Sequence, residues 1–307
     1  ILERGIRKRP GDFGLWVSYL QYAREARATK KFKKVLTAAL RMHPTKAELW
    51  LYAAKSAVED ESDMAAARSY MQRGTRFCTG SKELWIEYTK LEMIYLDKIK
   101  MRRGILGLDD SHNLEAEQKV EDPVDDQGFP ESEDMIKVPN FKAHAVWPRV
   151  VDGVEVDVEV VKDLMTTPAL NGAIPLAIFD DARERSFFSA AVAEDFFNMF
   201  AAFEQVSCLP RILQQVIDSM LEIFPTDSST HSCFVRQPII GIDPKNPKFP
   251  MALASSLDRF RKSKGKVFDK DQFSRKVANW MEPIVSLDDL DPGIRTVLTY
   301  TLQKLNC

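Results

Sequence analysis

Cysteine, histidine and glycine are scarce in this chain of 307 residues. The four cysteines, Cys78, Cys208, Cys233 and Cys307, form no C-x-x-C pair and stand near no histidine at a metal-ligand spacing. That leaves no disulfide framework and no zinc site, and it reads as a reduced, intracellular pattern. The four histidines, His43, His112, His144 and His231, are scattered without an acidic or histidine partner at helical spacing. No apolar run approaches the roughly 20 residues of a membrane helix, so no membrane is expected. The phosphate-loop, dinucleotide, serine-elbow and zinc-helix motifs are missing, and no nucleophile has a plausible base. The expectation is a non-enzymatic chain with no cofactor, metal or small-molecule substrate. Charge of one sign is lacking too: 43 lysines and arginines face 45 aspartates and glutamates. Any affinity for polyanions must therefore come from local patches. The chain also lacks an initiating methionine and starts inside an expected helix at residues 2–9, so a truncated chain is expected.

What the sequence does have is a period. Trp16, Trp50 and Trp85 follow one another at 34 and 35 residues, each after a leucine, Leu15, Leu49 and Leu84. Small residues flanked by basic, helix-type sequence keep the same step at Gly5, Ala39 and Gly74. Two markers in one register indicate stacked helix–turn–helix units. Trp16, Tyr19, Leu20 and Ala23 fall on one helical face; Trp85, Tyr88, Leu91 and Glu92 repeat it, and Trp50, Ala53 and Ala57 give a smaller version. The second helix of a pair is clearest at residues 64–74, where Ala67 and Gly74 permit close approach. A bulky ring on the first helix fills the hollow left by alanine or glycine on the second. The structural repeat core is thus Trp16, Tyr19, Trp50, Trp85, Tyr88, Ala67 and Gly74. Asp12, Thr45 and either Ser62 or Asp63 are expected N-caps, with Gly11 and Pro44 marking turns.

After residue 103 the pattern stops. Residues 109–134 hold eleven carboxylates and one lysine, with Pro123, Gly128 and Pro130 among them, a composition too poor in apolar surface to order itself. The chain divides accordingly into a repeat array at 1–104, an acidic disordered loop at 105–140, and degenerate helical repeats at 141–307. Helices are expected near 156–165, 175–185, 195–200 and 211–224, then 251–262, 271–283 and 292–305, with Phe196 and Phe200 standing where Trp and Tyr stood before. Residues 238–250 read as extended, and the pairs Asp180-Asp181 and Asp288-Asp289 as helix caps. The fold class is all-α, an α-solenoid of helical hairpins with a disordered acidic insertion.

Basic clusters occur at residues 7–9, 30–34, 98–103 and 259–266. Each could meet phosphate, and Lys30, Lys31, Lys33, Lys34, Arg102 and Arg103 are the candidate contacts to RNA or a partner. Charge runs are more often solvated faces. Lys55, Glu87 and Arg24 are further exposed candidates on the hairpins.

The motif separates neighbouring repeat families. After Trp85 the pattern is W-x-x-Y-x-x-L-E, and the second helix carries Ala67-Arg68 followed by Arg73. This resembles the half-a-tetratricopeptide (HAT) repeat, whose proteins are largely subunits of RNA-processing assemblies. Ala53 in place of tyrosine and the absence of tryptophan in the 190s depart from it. Within that class, residues 36–50, 67–74, 90–95 and 174–179 resemble the HAT-repeat subunit of the UtpB subcomplex of the small-subunit processome, the sixth U-three small nucleolar RNA-associated protein family. The resemblance implies a scaffold in the nucleus and nucleolus, needed for pre-ribosomal RNA cleavage and 18S maturation. It also implies WD-repeat subunits of UtpB as partners, within a pre-ribosomal ribonucleoprotein that includes the U-three small nucleolar RNA particle. The alternatives are a HAT scaffold of a splicing or mRNA 3′-end assembly, or a helical repeat that binds RNA directly.

Overall fold

The computed structural model describes residues 1–105, 150–151, 154–155, 171–287 and 290–306. Apart from one pair of two-residue strands, the architecture among these is all-α, built as consecutive helical hairpins. The first six helices are α1 (Leu2–Lys8), α2 (Phe13–Glu25), α3 (Thr29–Met42), α4 (Ala47–Glu61), α5 (Met64–Phe77) and α6 (Lys82–Ile105). Their boundaries repeat because the turn chemistry repeats. Arg9, His43 and Cys78 end α1, α3 and α5 with nearly the same backbone angles, φ −134°, −129° and −115°. Each donates its N–H to the carbonyl four residues back, at Gly5, Ala39 and Gly74. The tight turns inside the hairpins pass through left-handed residues, Arg27 at φ 51° and Ser62 at φ 54°, a conformation uncommon without glycine.

Asp12 caps α2 by accepting from the Leu15 N–H, and Asp63 caps α5 by accepting from Ala66. Thr45 does not cap: Lys46 occupies the N-cap of α4 and offers no side-chain acceptor. Ser62 ends α4 instead of starting α5.

The later helices are α7 (Ala173–Arg183), α8 (Ala190–Ala201), α9 (Leu209–Ile223), α10 (Ser228–Arg236), α11 (Phe249–Ser263), α12 (Lys270–Val285) and α13 (Pro292–Asn306). Phe179, Phe196, Phe197 and Phe200 are fully buried, and Phe179 meets Phe196 edge-on at 5.4 Å. Further on, Val235, Phe249, Leu253, Phe273, Val277 and Met281 join α10, α11 and α12 in one core.

Two expectations need correction. The stretch 238–250 is not extended: Gln237–Ile239 is a 3₁₀ turn and Pro250 lies in the first turn of α11, where a missing N–H costs nothing. A helix not foreseen, α10, precedes it. Asp180 and Asp181 lie inside α7 rather than at its cap. Asp288-Asp289, the helix expected at 156–165 and the acidic loop fall outside the described residues.

Residues 1–97 and 172–307 gather into one compact unit and residues 98–171 into another. Within the second, Val150–Val151 and Val154–Glu155 pair as antiparallel two-residue strands.

Candidate macromolecular interface

The repeat-core residues are filled by packing. Trp16, Tyr19, Trp50, Trp85, Tyr88, Ala67 and Gly74 are all buried. The Trp16 indole N–H donates to the Pro10 carbonyl at 2.8 Å, and Trp50 to Pro44 at 2.7 Å, each six residues upstream. Each ring is therefore fixed at its polar end by the turn before its helix and at its apolar end by the hairpin. Gly74 is where the fit is tightest: a β-carbon built there would lie 3.0 Å from both Cβ and Cγ of Trp50 and 3.1 Å from a Leu84 methyl. Phe77 stacks on Trp50 with ring centroids 5.8 Å apart. In the third repeat Thr79 stands where the proline was, the buried Trp85 indole N–H has no partner, and the Arg185 guanidinium lies over the ring at 5.2 Å. Burial pushes the Tyr88 hydroxyl above the usual tyrosine range.

An ion pair with a buried carboxylate joins two of these helices. Arg68 on α5 grips Glu92 on α6 with two hydrogen bonds, Nε to Oε1 at 2.7 Å and Nη2 to Oε2 at 2.6 Å. The Glu92 side chain is 2% exposed. Arg68 also lies 4.2 Å over the Tyr95 ring, and the hydrogen bond to Glu92 pushes its guanidinium further up. A bidentate fork of this kind fixes the angle between two helices as well as holding charge.

The outer surface divides the candidate contacts. Lys30, Lys31 and Lys34 are exposed, while Phe32 between them is buried. Lys33 turns away to Glu61 on α4 at 2.7 Å, which raises its pKa, so it is not a free contact. Arg24 bridges to Glu59 and Asp60, and Glu87 holds Lys90. Lys55 is exposed beside Glu59. Arg102 is exposed on the last turns of α6; the side chain of Arg103 lies outside the described residues.

Nothing among the described residues groups three or more histidines, cysteines or carboxylates to hold a metal, and no described helix is long and apolar enough to cross a membrane. A groove of about 810 Å³ between the 244–250 turn, α11 and α13 is walled mainly by Pro247, Pro250, Leu253, Leu257, Ile294 and Val297.

Sequence reasoning missed the Arg68–Glu92 clasp, because its members are 24 residues apart and on different helices. It also missed, as candidate contacts, Arg41 on α3 and Arg73 and Arg76 on α5, which are exposed and form no ion pair among the described residues. A signal for them existed: Arg7, Arg41 and Arg76 each follow by two the small residue of the repeat.

Residues 2–105 match the family described as PRP39 N-terminal HAT repeat. Over 103 residues the chain is 35% identical to U3 small nucleolar RNA-associated protein 6 of Schizosaccharomyces pombe, covering 34% of this chain and 21% of that protein. The human and mouse homologues of that protein match over the same length at 29% and 28% identity, covering 34% of this chain and 17% of each relative. The matched part thus spans about a fifth of these relatives. The chain carries a HAT-repeat segment similar to U3 small nucleolar RNA-associated protein 6.

Proposed function

We propose that this chain is a non-enzymatic scaffold in ribosome biogenesis, acting in the nucleolus within pre-ribosomal particles that contain the U3 small nucleolar RNA. The observation that carries the reading is the similarity of the first hundred residues to relatives named for association with that RNA, falling on hairpins whose rings are consumed by packing. A stack of hairpins with a satisfied core offers its outer faces for docking rather than for chemistry. In the finer form of the proposal the partners are the WD-repeat subunits of the UtpB complex, held for pre-rRNA cleavage and 18S maturation. Residues 172–307 continue the helical array as degenerate repeats.

Affinity purification of the tagged chain, followed by identification of what accompanies it, tests this. Co-purification of pre-ribosomal proteins and U3 RNA is the expected result. Recovery of splicing or 3′-end-processing subunits without them would favour the second reading, a HAT scaffold of another RNA-processing machine, which the match to a HAT family named for a different protein keeps in view.

A further inference from the structure

The near-neutral total charge conceals a division between helices. The second helices of the hairpins, α3 and α5, contain no aspartate or glutamate at all. α3 carries Lys30, Lys31, Lys33, Lys34 and Arg41; α5 carries Arg68, Arg73 and Arg76. The first helix α4 runs the other way, with Glu48, Glu59, Asp60 and Glu61 against the single Lys55.

Helical spacing then aims these cations. On α3 the core stripe is Phe32, Val35, Leu36, Ala39 and Leu40. Lys30, Lys34 and Arg41 stand at i, i+4 and i+11, directly opposite that stripe. On α5 the stripe is Ala67, Met71, Gly74 and Thr75, and Arg73 and Arg76 face away from it. α1, which shares their register through Gly5, adds Arg4 and Lys8. All seven are exposed and form no ion pair with any described residue. The cations of these three helices that have carboxylate partners are Arg7, Lys33 and Arg68, which meet Glu3, Glu61 and Glu92. Stacking of successive hairpins sets equivalent helices about 8–10 Å apart, and α3 spaces Lys30 from Arg41 by roughly 16 Å, so the repeat would array these cations as a grid rather than a point.

We propose that the outward face of α1, α3 and α5 is a binding face for the phosphate backbone of RNA. The choice of RNA over an acidic protein rests on the function proposed above; the grid itself does not. The positions between the cations hold Thr37, Ala65, Ser69 and Gln72, none of which can stack a base, so the face reads backbone charge and not sequence.

The test is fluorescence anisotropy of the whole chain with a labelled RNA hairpin of about 24 nucleotides at roughly 50 mM salt, where phosphate-dominated binding is strong. Four or so phosphate contacts should cost about a hundredfold in affinity between ~50 and ~200 mM salt. Lys30→Glu, Lys34→Glu and Arg41→Glu together should weaken binding by about tenfold or more, with an unchanged thermal melt. Should reversal disturb folding, the same three positions changed to glutamine keep the test alive. Lys55→Gln with Lys90→Gln, on the first helices, should leave binding within about twofold. No binding at the lower salt, or equal loss from both sets, overturns the proposal. So does polyglutamate competing as well as unlabelled RNA of equal charge, which would mark the face as a site for an acidic protein. The purification experiment stands apart: a scaffold that brings down pre-ribosomal proteins but fails here keeps its function and loses this face.

Discussion

His231 Nε2 lies 2.9 Å from the carbonyl oxygen of Pro225, six residues before it. A carbonyl only accepts, so this nitrogen carries the hydrogen, and the imidazole repeats the bond that the Trp50 indole makes to Pro44. The turn before it repeats as well. Phe224 ends α9 at φ −126° and ψ 60°, as His43 ends α3 at φ −129° and ψ 59°. Residues 224–231 therefore rebuild the turn of residues 43–50 around a different ring. The buried Ser263 hydroxyl holds the other imidazole nitrogen at 3.1 Å.

Replacing His231 with alanine strands the buried Ser263 hydroxyl, frees the Pro225 carbonyl and opens a void. A loss of about 2–4 kcal/mol is expected, read as a lower melting temperature. A variant that melts like the parent would show that the imidazole does not lock this hairpin.

Trp50→Ala should cost roughly 3–5 kcal/mol, as for other buried aromatics. Gly74→Ala alone should destabilise by about 1–3 kcal/mol, because Trp50 Cβ and Cγ sit too close to the chain to yield. In the Trp50→Ala background the same glycine change should cost less, since the Cγ contact is gone while the alanine Cβ stays 3.0 Å away and alanine favours the helix by about 1 kcal/mol. Denaturant titration of the four proteins reads the coupling; additive losses would place the tight contact elsewhere.

Arg68→Ala leaves the Glu92 carboxylate buried without its counter-charge, and a loss of about 3–5 kcal/mol is expected. Arg68→Lys should recover only part of it, because an ammonium cannot make the two-pronged bond. Changing both residues to a well-packed apolar pair should cost less than Arg68→Ala alone. Chemical denaturation checks the order; equal stability for Arg68→Ala and the parent contradicts it.

Burial pushes the thiols of Cys78 and Cys233 upward, Cys233 far above the usual range. The thiolate is the reactive form, so both should resist iodoacetamide at neutral pH in the folded protein and label once it is unfolded. Peptide mapping by mass spectrometry distinguishes them. Rapid labelling of Cys233 in the native state would mean that α10 opens readily.

The first hundred residues were legible because the repeated position holds the same large ring three times. Farther on the backbone keeps the turn while the side chain drifts. Four residues after the N-caps Ser189, Asp227 and Asp269 stand Ala193, His231 and Phe273, all buried and all different in size. A period that survives in geometry but not in residue type leaves no trace for pattern matching, which is why α10 went unforeseen and residues 238–250 looked extended. Thr45 looked like a cap because threonine usually is one; the helix began two residues later. On the surface, Lys30 to Lys34 read as one cluster, yet the helix splits it, sending Phe32 inward and Lys33 to Glu61. Arg41, Arg73 and Arg76 are seen to point away from the core stripes only once α3 and α5 are placed as helices.

The contact between Arg185 and Trp85 sets a schedule for synthesis. The guanidinium leaves the ribosome a hundred codons after the indole it covers. At about 5–20 residues per second, the newborn chain carries that ring without its covering cation for roughly 5–20 seconds. During that interval the Trp85 side of α6 waits for the segment that completes its cover.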